Sequence, residues 1–396
     1  MKLLIVIPAL NEEQSIESII LRTDAARKYI CSNTKVTSIE IVVVSDGSTD
    51  NTVKIASQHS DKAKLIVFEH NRGYGAAIKE GWNSSSNADL LAFLDADGTC
   101  DPNFFVILCN SITEEGADIA IGSRLSKESK MPLVRRIGNT LFSILLSFVS
   151  SERIKDTASG MRVIRKSVLN AIMPLPDGLN FTPAMSARAI LSRNVKVIEK
   201  NMTYSEREGE SKLKIWKDGK RFLFVILENV FLYVPYKIFT LLALLCLLFA
   251  GVIMANPVSF YLQKHFLEDW MIYRFLVADV SGLIALLLLS ISSITSNVVH
   301  FSLQAKQTRK KNILHYLFEH NIAIFISMLC YIIGSLLIVN SIWHRLTTGL
   351  TNEHWSRYIT MIFFYVAGAI FFLTYLVNRV LELVKDRLAY FESLQK

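Results

Sequence analysis

Apolar residues come in two sizes of run along this chain, and the change near residue 234 limits what it can fold into. Beyond that point four stretches, at about 236–254, 272–295, 322–342 and 358–377, each approach the roughly 20 residues that cross a hydrocarbon core. Before it, apolar runs are strand-sized. A chain of 396 residues with 51% apolar content is therefore expected to divide into a water-facing half and a membrane half.

Charge sets an expected orientation, because Lys and Arg collect in cytoplasmic loops. The approach to the first stretch carries Lys212, Lys214, Lys217, Lys220, Arg221 and Lys237. The middle loop carries Lys306, Arg309, Lys310 and Lys311, and the tail Arg379, Lys385, Arg387 and Lys396. The two other loops carry only Lys264, Arg274, Arg345 and Arg357. Fourteen against four predicts a multi-pass membrane protein with both termini and the N-terminal half in the cytoplasm. The formal net charge of +8 is then topological and calls for no nucleic-acid partner. The opening MKLLIVI is too short for a signal peptide, meets Pro8, Asn11, Glu12 and Glu13, and lacks a small-residue cleavage site, so a first strand is expected. Five scattered cysteines, Cys31, Cys100, Cys109, Cys246 and Cys330, have no metal-ligand spacing and suit a reduced compartment or the bilayer.

Residues 1–204 alternate short β-branched runs with helical periodicity, the pattern of an α/β sheet. Strands are predicted at 3–7, 39–44, 65–68, 90–94 and 118–121. Asn11 followed by Gln14 has the spacing of a helix-capping box, and Ser48 and Thr49 offer caps for the next helix. At or beyond the strand ends the chain writes PALNEE, SDGSTD, NRGYG, DADG and GSR. In an open parallel sheet, ligands bind outside the carboxyl ends of the strands, so these five segments are expected to share one crevice. In LLAFLDADG, Asp95 and Asp97 stand two positions apart, where strand side chains point to the same side. Two like charges held that close call for a cation between them.

PALNEE, VVVSDGSTD, NRGYGAAIKEG, LDADG and IGSR, in this order and at these spacings, resemble the family 2 glycosyltransferases. DTASGMRVIRKSVL and GESKLKIWKDGKRF are similar to the branch that glycosylates polyprenyl phosphates, which includes dolichol-phosphate mannose and glucose synthases. The resemblance covers about residues 1–235. It implies an α/β, Rossmann-like GT-A domain at 1–210; Lys and Arg interspersed with Trp216, Phe222, Phe224 and Leu227 suggest an amphipathic juxtamembrane segment at 211–235, and the four apolar stretches an α-helical transmembrane domain of four spans with a cytoplasmic tail at 236–396. The resemblance also implies an enzyme that transfers one hexose, with inversion, from a UDP- or GDP-linked nucleotide sugar to dolichyl or undecaprenyl phosphate at the cytoplasmic membrane face.

The resemblance assigns the nucleoside to Pro8, Ala9, Glu12 and Asp46, since a carboxylate accepts hydrogen bonds from a base N–H or a ribose hydroxyl. Ser45 stands where many members carry aspartate, which leaves the base open. Arg72 and Gly73 line the donor pocket, or Gly73 and Gly75 simply start a helix. The donor's diphosphate leaves as an anion, and Asp95 and Asp97 are suited to hold the Mg²⁺ or Mn²⁺ that neutralises it, with Thr99 a weaker contact. Arg124 and Arg135 match the acceptor-side arginines, whose planar forks bind phosphate oxygens bidentately, with the less certain Arg136 beside them and Lys212 assisting from the juxtamembrane segment. A phosphate nucleophile is already anionic, so the demand for a strong base relaxes. Asp156 is the best base-like residue by resemblance. Relatives often carry glutamate where NFTPAMSARA has Ala184. Asp279, ionisable and inside the second apolar stretch, flags function, unless it and nearby Arg274 sit near the outer interface or pair between helices.

Two other readings use the same features. A processive polysaccharide synthase shares the fold and the anchorage but normally carries a Q-x-x-R-W motif, which this sequence lacks. A non-catalytic partner in lipid-linked-sugar translocation has no need of an intact D-x-D. The sequence leaves the sugar, the base and a homo-oligomer open.

Overall fold

The computed structural model describes residues 1–85, 87–125, 131, 133–150, 154–192, 195–205, 215–302, 317–318, 320–349 and 354–394. They divide into two compact units, Met1–Tyr233 and Val234–Lys396.

In the first unit, β1 (Lys2–Ala9), β2 (Ser38–Asp46), β3 (Lys64–Phe68), β4 (Leu90–Leu94), β5 (Ile119–Ser123), β6 (Met161–Arg165) and β7 (Val197–Asn201) form one sheet. Their order is β3-β2-β1-β4-β6-β5-β7. Every neighbouring pair is parallel except those of β6, which runs against both β4 and β5. The carboxyl ends of the other six strands therefore share one edge, and the start of β6 joins them there. All five strands predicted from sequence are present. β6 and β7 were not predicted, because MRVIR and VIEKN interrupt their apolar residues with charge.

The helices of this unit are α1 (Ile16–Asn33), α2 (Thr52–Ser57), α3 (Tyr74–Asn83), α4 (Phe105–Thr113), α5 (Leu133–Val149), α6 (Leu169–Ile172), α7 (Phe181–Leu191) and α8 (Ile215–Tyr233). Leu3 through Ile7 of β1 are all fully buried, as expected of a parallel strand covered on both faces. Leu3, Ile5 and Ile7 share a core with Ile16, Ile19 and Ile20 of α1 and with Phe105, Leu108 and Ile112 of α4. On the opposite face, Trp82, Phe93 and Phe181 meet with ring centroids 5.8–6.1 Å apart. Each such buried side chain contributes roughly 1.5–3 kcal/mol of transfer free energy.

The expected helix caps are not formed. Asn11 takes a left-handed backbone (φ 50°) and lies ahead of α1, which starts at Ile16 after Ser15. Its side-chain oxygen instead accepts the Thr49 N–H at 2.7 Å, while its own N–H donates to Ser48 Oγ at 3.1 Å. Glu13 Oε2 accepts from Asn51 N and Nδ2, and Thr52 Oγ1 accepts from Glu12 N. PALNEE and SDGSTD are thus stitched to each other, and the polar side chains that resembled helix caps serve that seam. Ser45 is buried, with its hydroxyl donated to Ser48 Oγ at 2.9 Å, so it too supports the seam.

The second unit contains α9 (Pro235–Lys264), α10 (Ile272–Ser302), α11 (His320–Thr348) and α12 (Trp355–Leu394). Among the described residues, four helices here are long and apolar enough to cross a membrane, and each extends beyond the stretch expected from sequence. Polar side chains join them internally: Ser290 to Thr374 at 2.5 Å, Thr240 to Ser292 at 3.0 Å and Asn297 Nδ2 to Asn378 Oδ1 at 2.8 Å. Asp279 sits half-buried on α10, and the pairing with Arg274 is not formed among the described residues. The Arg274 guanidinium lies over the Trp270 ring instead, 5.3 Å from its centroid. The basic residues Lys306, Arg309, Lys310, Lys311 and Lys396 lie outside the described residues.

Candidate active site

A cavity of about 450 Å³ opens at the carboxyl edge of the sheet, entirely within the first unit. Pro8 and Ala9 at the end of β1, Glu12 just beyond, Asp46 at the end of β2, Asp95 and Asp97 after β4, and Arg124 after β5 all line it. The crevice expected from the strand-end motifs is therefore one physical space. Arg72 and Asp156 do not line it. Arg135 belongs to α5, but its side chain, like all of Lys212, lies outside the described residues.

Asp95 and Asp97 converge for a different reason from the period-2 rule. β4 ends at Leu94, and the two aspartates sit in the turn that follows. Asp97 Oδ1 accepts from Thr99 N at 3.2 Å and Thr99 Oγ1 at 2.6 Å, so Thr99 braces Asp97. Asp95 Oδ1 accepts the Tyr74 hydroxyl at 2.7 Å. Burial, reinforced by the Asp95 charge, holds the Tyr74 phenol well above its ordinary pKa, so it remains the donor. Arg22 on α1 fixes the turn from beneath, donating to the carbonyls of Gly98 at 3.2 Å and Cys100 at 3.0 Å.

Asp46 is partly committed to the fold. Its carboxylate accepts the backbone N–H of Arg72 at 2.6 Å and of Gly73 at 3.0 and 3.2 Å, tying the end of β2 to the start of α3. Burial raises its pKa, and these backbone donors oppose the rise. A carboxylate has about four acceptor positions, which leaves room for one hydroxyl. Gly73 lines the cavity, whereas the Arg72 guanidinium turns away and covers the Phe68 ring at 4.4 Å.

Arg124 does not present its fork to the cavity as expected. Nε and Nη2 each donate at 2.8 Å to Asp156, one to each carboxylate oxygen, and the Arg124 backbone N–H adds a third bond at 2.9 Å. Asp156 is fully buried and also accepts from Asn139 Nδ2 at 3.0 Å and Ala158 N at 3.3 Å. Burial alone raises the Asp156 pKa, but the Arg124 charge and hydrogen bonds outweigh it and the net shift is downward. A buried, saturated carboxylate of lowered basicity is poorly arranged to take a proton. Its geometry suits holding Arg124.

Sequence reasoning missed several lining residues. Tyr74 lies inside the NRGYG motif, whose Arg72 and Gly73 drew the expectation, and Asn139 follows Arg135 and Arg136 by a few residues on α5. Asn139 is a hub: its Nδ2 donates to Asp156, and its Oδ1 accepts from Thr157 N at 3.0 Å and Thr157 Oγ1 at 2.7 Å. Arg221 and Phe222 reach the cavity from α8, where the basic residues had been counted only for topology. α5 and α8 pack together through Phe142 and Phe222, whose rings meet edge-on at 6.0 Å. Both helices leave apolar side chains exposed: Ile137, Leu141 and Ile144 on α5, and Leu223, Phe224, Phe231 and Leu232 on α8.

Residues 4–173 match Glycosyl transferase family 2. They form a family 2 glycosyltransferase domain. The sheet order, with one antiparallel strand between β4 and β5, is its GT-A scaffold. Over 229 residues, 57% of this chain, the protein is 31% identical to the low-salt glycan biosynthesis hexosyltransferase Agl6 of Haloferax volcanii. It is 29% identical over 54% of its length to the undecaprenyl-phosphate 4-deoxy-4-formamido-L-arabinose transferase of Yersinia enterocolitica. It is 31% identical, again over 54%, to the dolichol-phosphate mannosyltransferase of Pyrococcus furiosus. The chain spans 53%, 64% and 60% of those three relatives.

Proposed function

We propose that this glycosyltransferase domain moves a single hexose from a nucleotide sugar to a polyprenyl phosphate, with inversion, at the cytoplasmic face of a membrane. The observation that carries the reading is that α5 and α8, two helices that line the cavity together with Asp95 and Asp97, leave apolar side chains exposed. An amphiphilic phosphate can reach such a cavity with its headgroup while its chain stays against apolar surface. The names of the relatives, two of them transferases to lipid phosphates, point the same way.

Asp95 and Asp97 fit a hard divalent cation. Among the described residues no cluster of three or more His, Cys, Asp or Glu forms a dedicated metal cage. Two carboxylates completed by substrate phosphates are the usual arrangement for Mg²⁺, and Mn²⁺ accepts the same oxygen donors. Such an ion, when bound, supplies charge neutralisation at the departing diphosphate. Glu12 and the remaining capacity of Asp46 bind the nucleoside hydroxyls or base. Arg124, held rigid by Asp156, and Arg221, which the sequence reading left to topology, provide positive potential for the acceptor phosphate; Arg135 and Lys212 are proposed to add to it. A phosphate oxygen attacks the anomeric carbon as the bond to the nucleoside diphosphate breaks. Both nucleophile and leaving group are anions, so no proton has to move and no base is required.

The test is incubation of the purified chain with polyprenyl phosphate and a panel of UDP- and GDP-sugars. The expected product is the lipid phosphate heavier by one hexose residue by mass spectrometry. Polymer formation, or no lipid product from any donor, overturns the reading. Orientation is checked separately: a reporter active only in the cytoplasm, fused after Lys396, is expected to work, and activity of an exported-only reporter there defeats the cytoplasmic assignment.

A further inference from the structure

Asp95 leans into a space that exists because residue 160 has no side chain. One step past the Leu94↔Met161 pair, the antiparallel register of β4 and β6 sets Asp95 opposite Gly160. A Cβ built on Gly160 falls 2.5 Å from Asp95 Oδ1 and closer still to Cγ and Oδ2, well inside the 3.0 Å that real Cβ atoms respect. Gly160 is not among the glycines with positive φ, so its backbone conformation gives no reason for glycine there. The space does. The Asp95 carboxylate, in the turn after β4, therefore lies directly against the backbone of the residue that precedes β6.

Tyr74 closes the arrangement from the other side. It is the first residue of α3, and its ring meets Phe93 and Phe181 edge-on at 6.5 and 6.4 Å. The hydroxyl so placed donates to Asp95 Oδ1 at 2.7 Å. One oxygen of Asp95 is thus bonded to a wedged phenol while the whole group rests in the Gly160 gap.

We propose that Gly160 and Tyr74 are positioning residues that fix the orientation of Asp95 toward a divalent cation bound with the donor diphosphate, an inference that rests on the metal reading above. Hydrogen-bonded partners of metal ligands typically change metal affinity by 10–100-fold when removed. Neither residue need touch the ion to have that effect.

The experiment uses the purified full chain with Mn²⁺ as probe, measuring free Mn²⁺ by electron paramagnetic resonance in the presence of UDP or GDP. Tyr74→Phe removes one oxygen and preserves the ring, and is expected to weaken Mn²⁺ binding about 10-fold or more at unchanged melting temperature and unchanged metal-free nucleotide affinity. Gly160→Ala, which must displace the carboxylate, is expected to weaken it at least as much. A merely structural role moves the melting temperature and leaves Mn²⁺ affinity alone. Mn²⁺ affinity within about twofold of wild type in folded Tyr74→Phe overturns the proposal, on the scale expected for such partners, whether or not Gly160→Ala folds. Failure of the wild-type protein itself to bind Mn²⁺ with either nucleotide brings down the metal reading, an outcome visible before any variant is compared.

Discussion

Asp97→Ala should lower kcat/KM for sugar transfer by about three orders of magnitude, the equivalent of ~4 kcal/mol of transition-state stabilisation. Asp97 and Asp95 are the pair of neighbouring carboxylates after β4 on the cavity wall, and a diphosphate leaving group cannot depart easily from a site that adds negative charge without a cation. The alanine variant also strips Thr99 of its acceptor, a structural loss of about 1 kcal/mol. Asp97→Asn separates the two effects. It keeps an oxygen for Thr99 and loses the charge, so stability should be retained while turnover falls nearly as far as in Asp97→Ala. Excess EDTA on the wild-type chain should match it. Full turnover by Asp97→Asn, or undiminished turnover in EDTA, returns the pair to two acids that only brace a turn.

Much of this site was legible because each motif sat at the end of an apolar run. The runs gave β1 to β5, and the parallel connection rule placed their carboxyl ends together. The rest was hidden where local pattern and tertiary role disagree. β6 contains Arg162, fully buried in the middle of the sheet, a residue that argues against a core strand in any local reading. Its guanidinium is accommodated by the carbonyls of Ser159 at 3.1 Å and Thr157 at 2.8 Å, groups supplied by a loop whose path only the fold reveals. Burial pulls its pKa down to about 10, so it stays charged at neutral pH. Asn11 illustrates the same limit. Its spacing to Gln14 fits a capping box, yet its partner is Thr49, 38 residues away. Arg221 was visible only as one more cation in a basic stretch, because a charge count cannot tell a helix face turned to a cavity from one turned to lipid headgroups. The resemblance offered Asp156 as a base, but its pairing with Arg124 depends on burial, which spacing does not report.

Asp156→Asn is where the two roles for that residue part company. If Asp156 were a general base at the surface of the cavity, the substitution would abolish turnover and leave the fold intact. The structure puts it at 0% side-chain exposure against an Arg124 that is 13% exposed, with both carboxylate oxygens engaged. Removing one partner of a buried ion pair leaves the other charge uncompensated, at a cost of about 3–5 kcal/mol. A large fall in melting temperature of the first unit is therefore expected, together with loss of acceptor use as Arg124 moves. Replacing both residues by apolar ones of similar volume, Arg124→Met with Asp156→Leu, should recover most of the stability and none of the transfer activity. The pH dependence has a definite sign. The folded pKa of Asp156 is lowered, so its stabilisation is fully present above the unfolded value near ~3.9 and is lost as pH falls through the folded value. Asp156→Asn does not titrate, so the stability gap between it and the wild type should be constant near neutrality and narrow only in acid below about pH 4. A gap that narrows between pH 6 and 8 instead, or a variant as stable as wild type but inactive, would remove the ion-pair account and restore Asp156 as a candidate base.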